Sequence, residues 1–242
     1  MAPENTLIAM QTALSYGFSA VEFDVMLSKD LFPVLMHDEV VGRTIQGDGQ
    51  RLSISDYYRE ELCEMDAGCW FSDKYAERSI GVSSVKVPTY ESILEFCNSN
   101  SLWMNIEIKP APGFEALTGA VVAQVTKSFL DSQGTHEKFP LFSSFSFEAL
   151  LTAAEVAPEI PRAFLMETLK SDWRQRMVEL NAVALHIDHK SLTRETATEI
   201  KDLGYNLFCY TVNDVERAIE LKSWGVESFC TDRLDLFKDF LS

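Results

Sequence analysis

The stretch AVEFDVMLSKDLFPVLMHD, residues 20–38, predicts a strand, a tight turn and a second short strand. Side chains alternate between the two faces of a strand, so Glu22 and Asp24 point to one face and the apolar residues around them to the other. Two neighbouring carboxylates in an apolar run are costly to bury unless a positive charge lies between them. A divalent cation with oxygen ligands meets this requirement. Because His37 ends the second strand at the same rim, the stretch predicts a metal and histidine site for phosphate chemistry.

Composition narrows the class of protein. The chain has 242 residues, 46% of them hydrophobic, which suits one large core of barrel size. A net charge of −16 repels phosphate backbones and anionic membranes and argues against nucleic-acid binding. No apolar run reaches the roughly 18 residues of a membrane span, and the N-terminus lacks the basic and apolar stretches of a signal peptide. Five cysteines without a CxxC pair suit reduced thiols, so we expect a cytoplasmic protein, with a homo-oligomer left open.

Strands and helices alternate from residue 89 onward, which indicates βα units around a parallel sheet. The predicted helices cover residues 5–16, 89–98, 116–130, 147–156, 173–179, 194–203, 215–222 and 234–240. The predicted major strands cover residues 20–27, 102–109, 141–144, 162–166, 183–187, 206–211 and 228–231. These are seven strands, and a (β/α)8 TIM barrel needs eight. Because the first helix has no strand before it, we expect the missing first strand to belong in front of Met1.

The segment of about residues 39–87 lacks this alternation. We predict that it forms an insertion on one rim of a single barrel domain covering residues 1–242. Residues 53–65 suggest one short helix, and residues 66–71 a loop that carries aromatic side chains. Gly47-x-Gly49 reads as a turn and not as a nucleotide-binding loop, because no strand and helix flank it.

Barrel enzymes place their active sites at the carboxyl ends of the strands. On the strand 102–109, Glu107 and Lys109 share a face. Glu22, Asp24 and Glu107 are therefore expected to converge with Lys109, which gives oxygen ligands for a hard cation and a cationic partner for a phosphate. A buried structural ion network is the alternative. Pairs of charged residues on two separate strands count against it, because Val, Ile and Leu usually fill barrel interiors.

The remaining histidines carry weaker signals. His186 is expected to line the pocket. The spacing His186-x-x-His189 resembles a zinc pair, but residues three apart on a strand end face opposite sides, which argues against zinc. His136 lies in a polar loop and is expected to be solvated.

Eight short motifs follow one another along almost the whole chain: PENT at residues 3–6, EFD at 22–24, SKD at 28–30, HD at 37–38 with RT at 43–44, EIK at 107–109, SSF at 143–145, YTVN at 210–213 and CTD at 230–232. This set resembles the glycerophosphodiester phosphodiesterase family, and LHIDHK at residues 185–190 also fits its cytosolic bacterial type.

The resemblance implies a (β/α)8 barrel that hydrolyses glycerophosphodiesters to glycerol 3-phosphate and an alcohol. It implies that Glu22, Asp24 and Glu107 hold a divalent cation, Mg²⁺ or Ca²⁺. It further implies that His37 is one of two catalytic histidines and that Lys109 contacts the phosphate.

Two further positions are expected to contact the substrate. His186 lines the expected pocket, and Tyr210 stands where the family often has Trp, which keeps an aromatic wall there. Together with Lys109 they form the predicted substrate-binding set.

The N-terminus departs from the family pattern. Family members begin with a strand that ends in His-Arg-Gly, shortly before the PENT motif, whereas here Met1 and Ala2 directly precede Pro3. We therefore expect a barrel that is open between its first and last strands and a chain with impaired activity. The alternatives are a non-catalytic module that binds phosphate or metal, and a different barrel enzyme acting on phosphorylated sugars. The chain lacks the phosphate-binding glycine loop that such a sugar-phosphate enzyme would carry late in the barrel.

Overall fold

The computed structural model describes residues 1–46, 52–74, 85–134 and 139–238. The strands are β1 (Ala20–Leu27), β2 (Pro33–Leu35), β3 (Trp103–Ile108), β4 (Leu141–Ser144), β5 (Arg162–Met166), β6 (Ala184–Asp188), β7 (Asn206–Tyr210) and β8 (Ser228–Phe229). The helices are α1 (Leu7–Ser15), α2 (Arg59–Glu64), α3 (Cys69–Lys74), α4 (Tyr90–Ser99), α5 (Glu115–Gln133), α6 (Phe147–Val156), α7 (Trp173–Glu179), α8 (Arg194–Asp202), α9 (Val215–Ser223) and α10 (Leu234–Phe237).

The strands form one sheet in the order β2-β1-β3-β4-β5-β6-β7-β8. The β1–β2 pair is antiparallel, and every other neighbouring pair is parallel. The sheet curls into a half-barrel with helices between its strands, which confirms the predicted barrel-like α/β fold. In the described part of the chain no ladder joins β8 to β1, so the sheet is open at this point, as expected.

The register of β1 and β3 positions the acidic side chains. Glu22 pairs with Asn105, and Asp24 pairs with Glu107. Residues in register on neighbouring strands point to the same face, so these four polar side chains share the inner face of the sheet. The outer face is apolar: Phe23 is buried and its ring lies 6.2 Å from that of Tyr90 on α4.

The floor of the half-barrel is apolar. Leu141, Ala163 and Ala184 form a small buried cluster on β4, β5 and β6, with Trp103 packed against it. On β4 and β6 this cluster lies at the amino-terminal side of Ser143 and His186. One end of the inner face is therefore apolar, and the carboxylates lie toward the other end.

The segment between β2 and α4 differs from its prediction. Instead of one helix over residues 53–65, the chain forms a 3₁₀ turn at Ile54–Asp56 and then α2. The backbone is extended at Tyr57 (φ −101°, ψ 141°), and the Glu61 carboxylate accepts a 2.8 Å hydrogen bond from the Tyr58 N–H, which starts a new helix. The prediction of a loop over residues 66–71 is also wrong for its last three residues, because α3 begins at Cys69.

A second apolar cluster underlies this segment. It is formed by Met26, Val34, Met36, Val41, Ile45, Ile54, Tyr57, Leu62, Ala67 and Val87. The cluster lies against the ends of β1 and β2 and holds the segment on one rim of the sheet. Gly47-x-Gly49, His136 and the last residues of the predicted closing helix lie outside the described residues.

Among the described residues, none of the helices is both long and apolar enough to cross a membrane.

Candidate active site

Three carboxylates meet on the inner face of the sheet. Glu22, Asp24 and Glu107 each offer one oxygen atom, and these atoms all lie within 4.8 Å of one another. Asp24 and Glu107 are buried, with 5% and 8% of their surface exposed. The described residues contain no other group of three or more His, Cys, Asp and Glu side chains with metal-ligand spacing. Clustered carboxylate oxygens are the donor set that hard divalent cations prefer, so these residues fit such an ion.

The pKa values of the cluster show how unfavourable three bare charges are here. Burial raises the pKa of Glu22 well above its usual value, and the negative charges of Asp24 and Glu107 raise it further. Burial, followed by the charge of Asp24, raises the pKa of Glu107 to about 8, although Lys109 opposes this shift. Like charges in a desolvated site favour protonation or a bound cation.

Lys109 lies beside the cluster. Its Nζ is 3.2 Å from Asp24 Oδ1 and 3.9 Å from Glu107 Oε1. Among the ion pairs of the described residues, Lys109 is the one cation that reaches these carboxylates. A single ammonium group cannot balance three carboxylates, which weakens the alternative of a self-sufficient structural ion network.

His37 lies just beyond β2 and is held by an acidic neighbour. Its Nδ1 is 2.7 Å from Asp38 Oδ1, and Asp38 in turn accepts a 2.5 Å bond from Arg43 Nε. Burial alone would raise the pKa of Asp38, but the hydrogen bonds from Arg43 and His37 outweigh it and lower the pKa. Arg43 also contacts Glu4 Oε1 at 2.5 Å. Sequence reasoning did not find this network, although all its residues lie in the quoted motifs.

The side chain of His37 is 49% exposed and opens onto solvent. Residues 37–43 line a cleft of about 560 Å³ there. His37 is therefore accessible to a small molecule that enters from this rim.

His186 has a different environment. It lies on β6, is 1% exposed, and its ring stacks on Phe208 at a centroid distance of 4.4 Å. Burial lowers the pKa of His186 to about 3, so the imidazole is neutral at physiological pH. Its Nδ1 has no hydrogen-bond partner among the described residues.

Replacing His186 by Gln is expected to flatten the loss of stability in acid. The unfolded histidine binds a proton near pH 6.5 and the folded one only near pH 3. Stability is therefore fully present above pH 6.5 and falls as the pH drops, by up to about 1.4 kcal/mol per pH unit. Urea unfolding of both proteins between pH 4 and 7 measures the difference, because other titrating groups contribute equally to each. If the free energy of unfolding of the two proteins fell in parallel between pH 7 and pH 4, the result would contradict a lowered pKa for His186.

Tyr210 forms an aromatic wall at the carboxyl end of β7. Its hydroxyl donates a 2.9 Å hydrogen bond to the Met166 carbonyl, and its ring contacts Phe145 edge-on at 5.9 Å. Phe145 is 44% exposed. With its hydroxyl engaged by the backbone, Tyr210 offers chiefly its ring to a ligand.

Two more polar groups of the inner face are buried without partners among the described residues. They are Asn105 Oδ1 on β3 and Ser143 Oγ on β4, and Ser143 pairs in register with Glu107. Buried polar atoms are nearly always hydrogen-bonded in native proteins. Their presence beside the carboxylates is consistent with an inner face built to hold a polar ligand, an ion or its water.

Two contacts to the acidic cluster were not predicted from the sequence. Asn5 hydrogen-bonds Asp24 through its side chain, and the Cys230 thiol lies 3.7 Å from Glu22 Oε2. The contact between Cys230 and Glu22 links the residue that follows β8 to β1, across the open side of the sheet. Asn5 and Cys230 both lie in quoted motifs, but nothing in their spacing links them to the carboxylates.

Comparison with known proteins gives a consistent result. The model of the glycerophosphoryl diester phosphodiesterase family matches residues 1–236. A glycerophosphodiester phosphodiesterase of Bacillus subtilis (strain 168) is 28% identical over 243 residues, which cover 97% of this chain and 80% of that protein. One from Caldanaerobacter subterraneus subsp. tengcongensis is 29% identical over 238 residues, 95% of this chain and 88% of that protein.

A solved structure extends the similarity to three dimensions. It is that of an Oleispira antarctica phosphodiesterase in complex with the product sn-glycerol-3-phosphate, and it is 32% identical to this chain with a TM-score of 0.87. The match covers 99% of this chain and 92% of the other. Together with the match of the family model over nearly the whole length, this shows that the chain belongs to the glycerophosphoryl diester phosphodiesterase family.

Proposed function

We propose that the protein hydrolyses glycerophosphodiesters to glycerol 3-phosphate and an alcohol in a reaction that depends on a divalent cation. The convergence of Glu22, Asp24 and Glu107 beside Lys109 carries this proposal. It is supported by the similarity to phosphodiesterases of this class, one of which binds sn-glycerol-3-phosphate.

The three carboxylates would hold the cation, for which we propose Mg²⁺ or Ca²⁺. When bound, such an ion stabilises negative charge on phosphoryl oxygens and acidifies a hydroxyl group or water. Lys109 would contact the phosphate, because its ammonium group lies between Asp24 and Glu107 and remains one-quarter exposed. The lysine would thereby orient the phosphodiester against the acidic cluster.

His37 would transfer a proton at Nε2. Its Nδ1 is engaged by Asp38, which fixes the orientation of the ring and favours the tautomer with a proton on Nδ1. Arg43 holds Asp38 in place. Nε2 would then accept a proton from the nucleophile or deliver one to the leaving alcohol.

His186 and Tyr210 would contact the substrate without carrying charge. Burial keeps His186 neutral, so its Nδ1 is suited to hydrogen bonding with a hydroxyl group. The ring of Tyr210 would pack against an apolar part of the substrate.

We further propose that the 242 residues turn substrate over slowly by themselves. Hydrolysis needs an acid and a base, and residues 1–242 contain no His-Arg-Gly segment to complement His37. Loss of one acid–base group typically lowers the rate by about 10²–10⁴-fold. We also propose a single domain with an insertion at about residues 39–87, a cytoplasmic location, and a role in lipid-derived glycerol metabolism.

The direct test is release of glycerol 3-phosphate from glycerophosphocholine by metal-stripped protein. Slow product formation that requires Mg²⁺ or Ca²⁺ and stops with EDTA is expected. Binding of glycerol 3-phosphate with no turnover would favour a non-catalytic module instead. Turnover that EDTA leaves unchanged would overturn the role of the carboxylates.

A further inference from the structure

Asn5 has an unusual backbone conformation just before α1. Its φ is 54°, in the left-handed region. Asn is among the few residues other than Gly that adopt this region readily. The next residue, Thr6, caps α1, so the chain turns at Asn5 and aims its side chain away from the helix toward β1.

The carboxamide of Asn5 makes two hydrogen bonds with one residue of β1. Its Nδ2 donates to Asp24 Oδ2 at 2.7 Å, and its Oδ1 accepts from the Asp24 backbone N–H at 2.9 Å. The Asp24 carbonyl accepts from the Met36 N–H at 3.2 Å, just past the end of the β1–β2 ladder. Asn5 Oδ1 therefore accepts the Asp24 N–H on the edge of β1 that pairs with β2 from Val25 onward.

These bonds divide the two oxygens of the Asp24 carboxylate between different partners. Oδ2 is committed to Asn5, whereas Oδ1 faces Lys109 Nζ at 3.2 Å. Rotation of the carboxylate would break the bond to Asn5 in a buried setting, where an unmade hydrogen bond is costly. Asn5 thus determines how the Asp24 carboxylate is presented within the acidic cluster.

We infer that Asn5 is a positioning residue that orients Asp24 for the divalent cation. This inference rests on the cation site of the proposed function and adds a residue that does not itself belong to the cluster. Partners that orient metal ligands typically change metal affinity by about 10–100-fold when removed.

A purely structural role must be distinguished from positioning, because the same bonds join α1 to β1. Thr6 offers a matched control one residue away. Its Oγ1 donates to the Pro3 carbonyl at 2.7 Å and accepts from the Ala9 N–H at 3.2 Å, without touching Asp24. Thr6→Ala therefore weakens the same end of α1 and leaves the carboxylate alone.

The experiment is a titration with Mn²⁺, followed by the electron paramagnetic resonance signal of the free ion, on the full chain and its variants. Asn5→Gly removes the carboxamide while relieving the left-handed backbone, and is expected to weaken Mn²⁺ binding by about 10–100-fold. Asn5→Ala is expected to bind equally weakly but to melt at a lower temperature. Thr6→Ala is expected to lower the melting temperature and to bind Mn²⁺ within about twofold of the parent.

Two results would overturn this inference while leaving the cation site in place. In the first, the parent binds Mn²⁺ and Asn5→Gly binds it with an affinity within about twofold of the parent. In the second, Thr6→Ala weakens Mn²⁺ binding as much as Asn5→Gly does. A parent protein that binds no Mn²⁺ would overturn the proposed cation site and this inference with it. A crystal structure of Asn5→Gly gives a readout independent of the ion. A turned Asp24 carboxylate is expected, and an unchanged one would contradict the positioning role.

Discussion

Replacing Glu107 by Gln is expected to stabilise the cation-free protein at alkaline pH and to abolish its response to divalent cations. Both effects have one cause. Glu107 is buried beside Asp24, where its negative charge is unfavourable until a cation compensates it. Gln has nearly the same shape and no charge, so it removes the repulsion together with the ligand.

The sign of the pH effect follows from proton binding. The pKa of Glu107 is about 8 in the folded protein and about 4.5 in an ordinary environment. Between these values the folded state holds a proton that the unfolded state has released. Stability from this group is fully present below pH 4.5 and is lost as the pH rises through 8, by up to about 1.4 kcal/mol per pH unit. At pH 9, Glu107→Gln is expected to be more stable by about 1–3 kcal/mol.

Urea unfolding in EDTA at pH 6 and pH 9 measures the first effect, and the rise in Tm on addition of Mn²⁺ measures the second. In the parent protein this rise should be larger at pH 9 than at pH 6, because protons compete with the cation. Hydrolysis by Glu107→Gln is expected to fall about a thousandfold, since a bound cation contributes several kcal/mol.

Glu155→Gln is the matched control, because it removes the same charge from an exposed position on α6. It should leave the pH profile and the Mn²⁺ response unchanged. A Glu107→Gln protein that is no more stable than the parent at pH 9, or that still gains stability from Mn²⁺, would contradict the view that Glu107 is a strained cation ligand.

Much of this site follows from local patterns. The two-residue repeat of strands puts Glu22 and Asp24 on one face, and parallel pairing brings Glu107 alongside. What local patterns do not contain is the contact between distant segments. Asn5 meets Asp24 across 19 residues, and Cys230 approaches Glu22 across 208. Such contacts depend on how the helices and loops pack, which no periodicity records.

The segment after β2 was less predictable for a different reason. Its helices are short, and their ends are set by individual capping bonds. The apolar spacing over residues 53–65 suits one helix, but the extended backbone at Tyr57 divides it in two. The complete burial of His186 was also not evident, because it depends on stacking with Phe208 from the next strand.

Adding an N-terminal segment that contains a strand ending in His-Arg-Gly is expected to raise kcat by about 10²–10⁴-fold. The open position of the sheet between β1 and β8 can accept a parallel strand, because in the described part of the chain residues 20–23 of β1 have a ladder on the β3 side only. Unpaired backbone groups on a strand edge favour the addition of a strand. The added histidine would then provide the acid or base that complements His37.

A second extension that carries Gln-Arg-Gly in place of His-Arg-Gly separates the two consequences. Both extensions should raise the Tm and increase hydrogen-exchange protection along β1 and β8, since both complete the sheet. Only the one with histidine should restore fast release of glycerol 3-phosphate, because only it supplies a second proton-transfer group. If the 242-residue chain already matches the extended one in kcat, then His37 and the groups around it suffice, and the acid–base pair must be sought among the described residues.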